Sequence, residues 1–232
     1  MKLLLVALLL MYPATAAQPR VRNLSMQLPE GRTLTYGLSL PPDVTLGEPR
    51  PLVIALHPGG PRGAYYGSRF IGQLVSPAFA DWNAVIAAPD CPTQSWAEPG
   101  AVQAVLALVT KLRAEHAIDG KKILLTGFSM GGRGTWFMSS RHPEVFTGAI
   151  LMAAPNGDEP MELRAKIPTY VIHSRDDVVV PFPPAERLAQ ELRSLGRNLQ
   201  FAAISGPGHS DLNGYVVPLR QASEWMAEMW RK

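Results

Sequence analysis

A single cysteine, Cys91, stands among the 232 residues, so no disulfide can form within the chain. Stability must come from a packed core, and no Cys/His spacing suggests a structural zinc site. No strong excess of either charge is present. Charged residues make up 18% of the chain, and the formal net charge is +3. Removing Lys2 with the leader described below leaves 21 basic against 19 acidic residues, with no basic cluster. That balance gives no electrostatic reason to expect nucleic acid as a partner. There is no internal repeat and no linker long enough to divide the chain. The 22 prolines are scattered, so they punctuate loops rather than build a fibrous repeat.

Long apolar runs are absent except at the start. Met1-Lys2 is followed by an almost unbroken apolar run from Leu3 to Met11, and Ala14-Thr15-Ala16 places small residues where a signal peptidase inspects them. The run is short for a bilayer span, and no cysteine follows it for lipid attachment. The expectation is a cleavable signal at 1–16, cut after Ala16, and export of a mature domain at 17–232. No stable membrane insertion is expected after cleavage. The mature chain, with an apolar content of 47% over the whole sequence, is long enough for one well-buried core.

Short apolar runs alternate with helical stretches, the pattern of a mostly parallel sheet wrapped by helices. Alternating segments at 21–28 and 33–40 flank Pro29-Glu30-Gly31 and read as an opening hairpin, followed by a polar loop at 41–51. Buried strands are expected at 52–57, 84–88, 122–126, 148–153, 169–173 and 200–204. Helices are expected at 68–80, 100–116, 130–141, 184–195 and 215–230. The second of these shows an apolar face of Val102, Val105, Leu106, Val109 and Leu112, and Gly196 stands where a helix would end.

The chemistry begins at Gly127-Phe128-Ser129-Met130-Gly131. Gly-x-Ser-x-Gly alone is a modest signal. Its position strengthens it, because Ser129 falls between a strand and a helix, where a sharp turn exposes a strained nucleophile. The helix start presents unpaired amides, so the Met130 N–H is an expected oxyanion donor. Serine needs a base. The chain order Ser, acid, His leaves only His209 of the five histidines, in the loop Ser205-Gly206-Pro207-Gly208-His209-Ser210. His57 and His173 end strands and are read as loop braces, whereas His116 and His142 lie near helix ends. The acid is Asp177 or its neighbour Asp176, with Asp177 preferred. A second oxyanion donor is expected in His57-Pro58-Gly59-Gly60-Pro61. Pro58 has no amide hydrogen, which directs the expectation to Gly59, with Gly60 second.

Leu56-His57-Pro58-Gly59-Gly60, the serine pentapeptide with Gly132, His173 through Asp177 to Pro181, and Gly208-His209 together resemble the α/β-hydrolase superfamily. The likeness runs from about Leu52 to the C-terminus and is nearest to the phospholipase/carboxylesterase and dienelactone-hydrolase-like esterases, including feruloyl-esterase-like enzymes. The resemblance implies about eight mostly parallel strands flanked by helices, and it aligns the acid with Asp177. Pro58 and Ser174 stand where such enzymes usually carry glycine. Dienelactone hydrolases proper use a cysteine nucleophile, and Cys91 is not placed like one. Between two expected strands, residues 155–167 leave little room for a lid. The resemblance therefore implies a serine carboxylesterase with an open site, acting on small or polymer-linked esters and needing no metal or organic cofactor. Trp96, Tyr65, Tyr66 and Phe182 fall in loops at the edge expected to carry the site, and are candidates to line it. Oligomeric state leaves no mark on the sequence.

Overall fold

Alternating side chains and the Pro29-Glu30-Gly31 turn produce the expected hairpin. Strand β1 (Val21–Gln27) pairs antiparallel with β2 (Thr33–Ser39), and Gly31 adopts a φ of +83° in the turn between them. In this computed structural model residues 20–41, 47–60 and 63–232 are described. The expected signal at 1–16 and part of the polar loop lie outside the described residues.

The continuous apolar runs become interior strands: β3 (Arg50–Leu56), β4 (Val85–Pro89), β5 (Ile118–Phe128), β6 (Gly148–Met152), β7 (Thr169–Ser174) and β8 (Leu199–Ile204). They form one eight-stranded sheet in the order β1-β2-β4-β3-β5-β6-β7-β8, in which only β2 runs against the rest. Strand β5 is longer than its apolar run. Its polar start pairs Ile118 with Arg50, across a register irregularity that precedes Leu52.

Side chains on successive residues of β3 enter different cores, as the period of two requires. Leu52, Ile54 and Leu56 pack with helices α3 (Pro99–Glu115), α4 (Met130–Arg141) and α5 (Phe182–Ser194). Val53 and Ala55 face the opposite core, which is closed by α6 (Val216–Met229) and by a helical segment after β3. Within α3, Val102, Val105, Val109 and Leu112 are buried together with Leu108, while Leu106 is only partly buried. Gly196 takes a φ of +74° just past α5, as a helix end favours.

The single helix expected at 68–80 is instead broken into α1 (Tyr66–Phe70), a wider π-type turn (Ile71–Val75) and α2 (Ser76–Ala78), followed by a 3-10 turn at Ala80–Trp82. Pro77 explains the break. It has no N–H to donate back along the helix, and its ring crowds the preceding turn.

Candidate active site

Strand β5 ends at Phe128 and α4 begins at Met130, so Ser129 alone makes the turn, with φ 52° and ψ −114°. That conformation is unfavourable for a residue with a side chain, and the surroundings enforce it. The Ser129 N–H donates to Met152 O on β6 at 2.9 Å. Glycine is required on both sides because backbones almost touch. A Cβ on Gly127 would lie 2.3 Å from Gly131 O, and one on Gly131 would lie 1.8 Å from Leu56 O.

The other two residues arrive from loops at the same sheet edge. His209 Nε2 lies 2.8 Å from Ser129 Oγ, and its Nδ1 lies 2.7 Å from Asp177 Oδ2. With Nδ1–H donating to the carboxylate, Nε2 carries a lone pair toward the serine hydroxyl. Asp177 is 5% exposed, and its other oxygen accepts the amides of Val179 (2.9 Å) and Val180 (2.8 Å). Burial would raise this carboxyl. The hydrogen bonds from His209, Val180 and Val179 outweigh it and hold the group below the ordinary carboxylate range.

The competing acid has a different place. Asp176 Oδ2 accepts the Gly206 amide at 2.7 Å, so it ties down the loop that carries His209 and does not touch the ring. His173 braces the acid loop from below, with Nε2–H donating to Val180 O at 2.8 Å. Its burial pushes the ring's pKa down and keeps it neutral. Phe128 packs against His209 (5.5 Å between ring centroids) and against Tyr215 (4.9 Å), a fully buried ring beneath the site. Burial pushes the Tyr215 phenol well up, so it stays neutral.

A cavity of about 340 Å³ opens over Ser129 and His209, walled by Pro58, Gly59, Tyr66, Phe128, Ser210 and Leu212. Gly59 forms part of this wall and also faces the Met130 side chain, while Gly60 turns the loop with a φ of +113° and is not part of the wall. Of the four aromatic candidates, Tyr66 alone lines this cavity. The expectation for Trp96 is corrected. It is fully buried against α4, where a Cβ on Gly134 would meet it at 2.2 Å, and its Nε1–H donates to His57 O. Phe182 is likewise drawn into the core, against His173 and Phe201, because it opens α5 on its inner face. Tyr65 contributes a backbone amide to Asp90 and takes a φ of 58°, outside the cavity wall.

Asp90, just past β4, organises that loop: it accepts the Tyr65 and Gly67 amides and the Thr35 hydroxyl at 2.7, 2.8 and 2.7 Å. It thereby places Tyr66, yet its only mark in the sequence is an aspartate after an apolar run. Cys91 follows it, half-buried, its thiol turned to Thr93 O.

Where a lid would stand, residues 153–168 hold only a 3-10 turn at Met161–Leu163, so no large lid insertion is present. The segment is stapled to α4 by Glu159. Its fully buried carboxylate meets Arg133 at 2.5 Å, Arg164 at 3.5 Å and Arg141 at 3.6 Å. Among the described residues no cluster of His, Cys, Asp or Glu could hold a metal ion.

The hydrogen-bonded line from Ser129 through His209 to Asp177, set at the edge of this sheet, is the Ser-His-Asp arrangement of serine hydrolases, carried on an α/β-hydrolase fold. The model of the dienelactone hydrolase family matches residues 88–226, and the chain belongs to that family, with serine in the nucleophile position. It is 23% identical over 128 residues to a Salmonella typhi protein carrying the name carboxymethylenebutenolidase, a stretch covering 47% of each chain. It is 25% identical over 91 residues to a bifunctional acetylxylan esterase/xylanase of Neocallimastix patriciarum, covering 39% of this chain and 14% of that one. The chain thus spans about half the length of the first of these relatives and far less of the second. Among solved structures, a thermostable esterase superimposes with a TM-score of 0.77 at 28% identity, over 90% of this chain and 62% of the other. Esterase 2 of Thermogutta terrifontis, phosphoramylated by tabun, shares the fold with a TM-score of 0.69 at 18% identity, covering 95% and 98%.

Proposed function

We propose that this protein hydrolyses carboxylic esters through an acyl-enzyme, acting on small ester groups or on esters that protrude from a larger molecule. The observation that carries this reading is the pair of short contacts at His209, 2.8 Å to Ser129 and 2.7 Å to Asp177. His209 Nε2 takes the hydroxyl proton as Ser129 Oγ attacks the ester carbonyl. The amides of Gly59 and Met130 receive the oxyanion, where preorganised donors are worth most. His209 then gives its proton to the leaving alcohol. Water, activated by the same ring, attacks the acyl-enzyme and frees the acid and Ser129.

An uncapped cavity of this size favours compact acyl groups over long lipid chains. The esterases among the similar proteins agree with that reading, as does the acetylxylan esterase named in the Neocallimastix relative. No cofactor takes part in these steps. The signal pattern at 1–16 supports export, to the periplasm or the medium, with residues 17–232 as the working domain. No helix among the described residues is long and apolar enough to cross a membrane.

The test is hydrolysis of 4-nitrophenyl acetate and butyrate, with the matching 4-nitroanilides alongside. Wild-type protein should turn over the esters, and Ser129→Ala should lose about 10⁴-fold or more in kcat/KM while staying folded. Wild-type rates in Ser129→Ala would overturn the reading. Faster cleavage of anilides than esters would favour a peptidase on the same triad. A folded protein that is inert to fluorophosphonate at Ser129 would point to a binding protein of this fold.

A further inference from the structure

Pro58 O and Gly59 N–H belong to one peptide group, and there is no cis peptide bond among the described residues. In a planar trans peptide the carbonyl and the amide point in opposite directions. Whatever fixes the Pro58 carbonyl therefore fixes the direction of the Gly59 amide. His57, one residue earlier, does so: its Nδ1 lies 2.8 Å from Pro58 O. The other ring nitrogen, Nε2, takes the Cys91 amide at 3.0 Å. A carbonyl can only accept and an amide can only donate, so the ring carries its proton on Nδ1 and its lone pair on Nε2.

The ring is also held in place. His57 is fully buried, with Tyr66 and Trp96 edge-on at 4.8 and 5.0 Å, and Trp96 Nε1–H donates to His57 O at 2.9 Å. Without such a lock the Pro58–Gly59 peptide could flip, because glycine tolerates either orientation. A flipped peptide would turn a carbonyl, rather than an amide, toward a developing negative charge.

We propose that His57 is a positioning residue: it locks the Pro58–Gly59 peptide so that the Gly59 amide faces the cavity above Ser129, ready to receive the oxyanion. The role rests on the ester-hydrolase reading above. It touches no reacting atom and works through one peptide plane. Pro58, which stands where glycine is usual in such enzymes, is compatible with the device because the amide it lacks is not the one used.

The test compares His57→Asn with His57→Gln on an aryl ester and on its thiono analogue, in which sulfur replaces the carbonyl oxygen. The asparagine amide reaches the Nδ1 position and can still donate to Pro58 O, whereas the glutamine amide reaches the Nε2 position and serves only the Cys91 amide. Expected is a kcat within about tenfold of wild type for His57→Asn. For His57→Gln the expected loss is about 10²-fold in kcat with KM nearly unchanged, the size of a lost oxyanion donor. Sulfur is the weaker hydrogen-bond acceptor, so thiono-ester turnover should fall much less, and the oxo-to-thiono rate ratio should collapse in His57→Gln only. Equal kcat values and wild-type ratios in both variants would overturn the positioning role while leaving the esterase reading intact. A wild-type protein that hydrolyses neither ester would instead remove the reading on which the role rests. Should the variants fail to fold, nitrogen NMR of histidine-labelled wild-type protein decides. A neutral Nδ1–H tautomer at His57 is expected, and the Nε2–H tautomer overturns the proposal.

Discussion

The carboxylate of Asp177 is divided between its two oxygens: Oδ2 meets His209 Nδ1 at 2.7 Å, while Oδ1 holds the amides of Val179 and Val180. The acid thus orients the imidazole and is itself oriented by its own loop. At a site this buried, loss of either contact would leave the carboxylate poorly solvated, at a cost in free energy.

Replacing the carboxylate by an amide should separate these duties. Asp177→Asn removes the anion that selects the Nδ1–H tautomer, and kcat on 4-nitrophenyl acetate should fall about 10⁴-fold. Asp176→Asn weakens only the tie to Gly206 and should stay within about tenfold of wild type. Equal losses in the two variants would mean that the acid is shared.

The pH dependence of stability has a definite sign. The Asp177 pKa lies below its ordinary value of 3.8, so the ionised form favours the folded state. Its contribution is fully present above the unfolded pKa of about 4 and is lost as pH falls through the depressed folded value. In urea titrations the advantage of wild type over Asp177→Asn should therefore hold at pH 7 and shrink below about pH 4. An advantage that grows on acidification would contradict the assignment.

How much of this was legible in the sequence depends on what each residue does. Ser129 and His209 could be read because the turn and the chain order leave no rivals. Residue type does not tell Asp177 from Asp176; spacing favours Asp177, likeness to related esterases supports it, and the structure separates the two by which loop each holds. Trp96 and Phe182 were misplaced because a loop at a strand's end can turn its aromatic inward. The tight approach of Gly134 draws Trp96 in, and the start of α5 does the same for Phe182. The break in the helix before β4 was marked by Pro77. By contrast, Asp90 acts through backbone amides far from it in sequence, a relation that no local pattern carries.

The absent lid has a structural counterpart in Glu159. Its carboxylate is fully buried among Arg133, Arg141 and Arg164, and Arg164 is itself only 3% exposed. Glu159→Ala leaves buried guanidinium charge uncompensated and should cost about 3–5 kcal/mol, read as a lowered urea midpoint. Limited proteolysis should then cut within residues 155–167 of the variant before other sites. A loss below 1 kcal/mol would show the cluster to be a solvent-screened surface feature.

The strain at the nucleophile can be measured by removing it. Ser129→Ala and Ser129→Gly both delete the hydroxyl and its bond to His209, so they differ only in the Cβ. With φ at 52° and ψ at −114°, a Cβ is held where side-chain residues are disfavoured, a cost of about 1–3 kcal/mol. Glycine escapes that cost but gives back about 0.5–1 kcal/mol through the freedom it gains when unfolded. Ser129→Gly should therefore be the more stable variant by about 1 kcal/mol, a rise in Tm of about 2–4 °C for a domain of this size. If the alanine variant proves as stable as the glycine one, the elbow is not strained, and its geometry must be imposed without cost by Gly127 and Gly131.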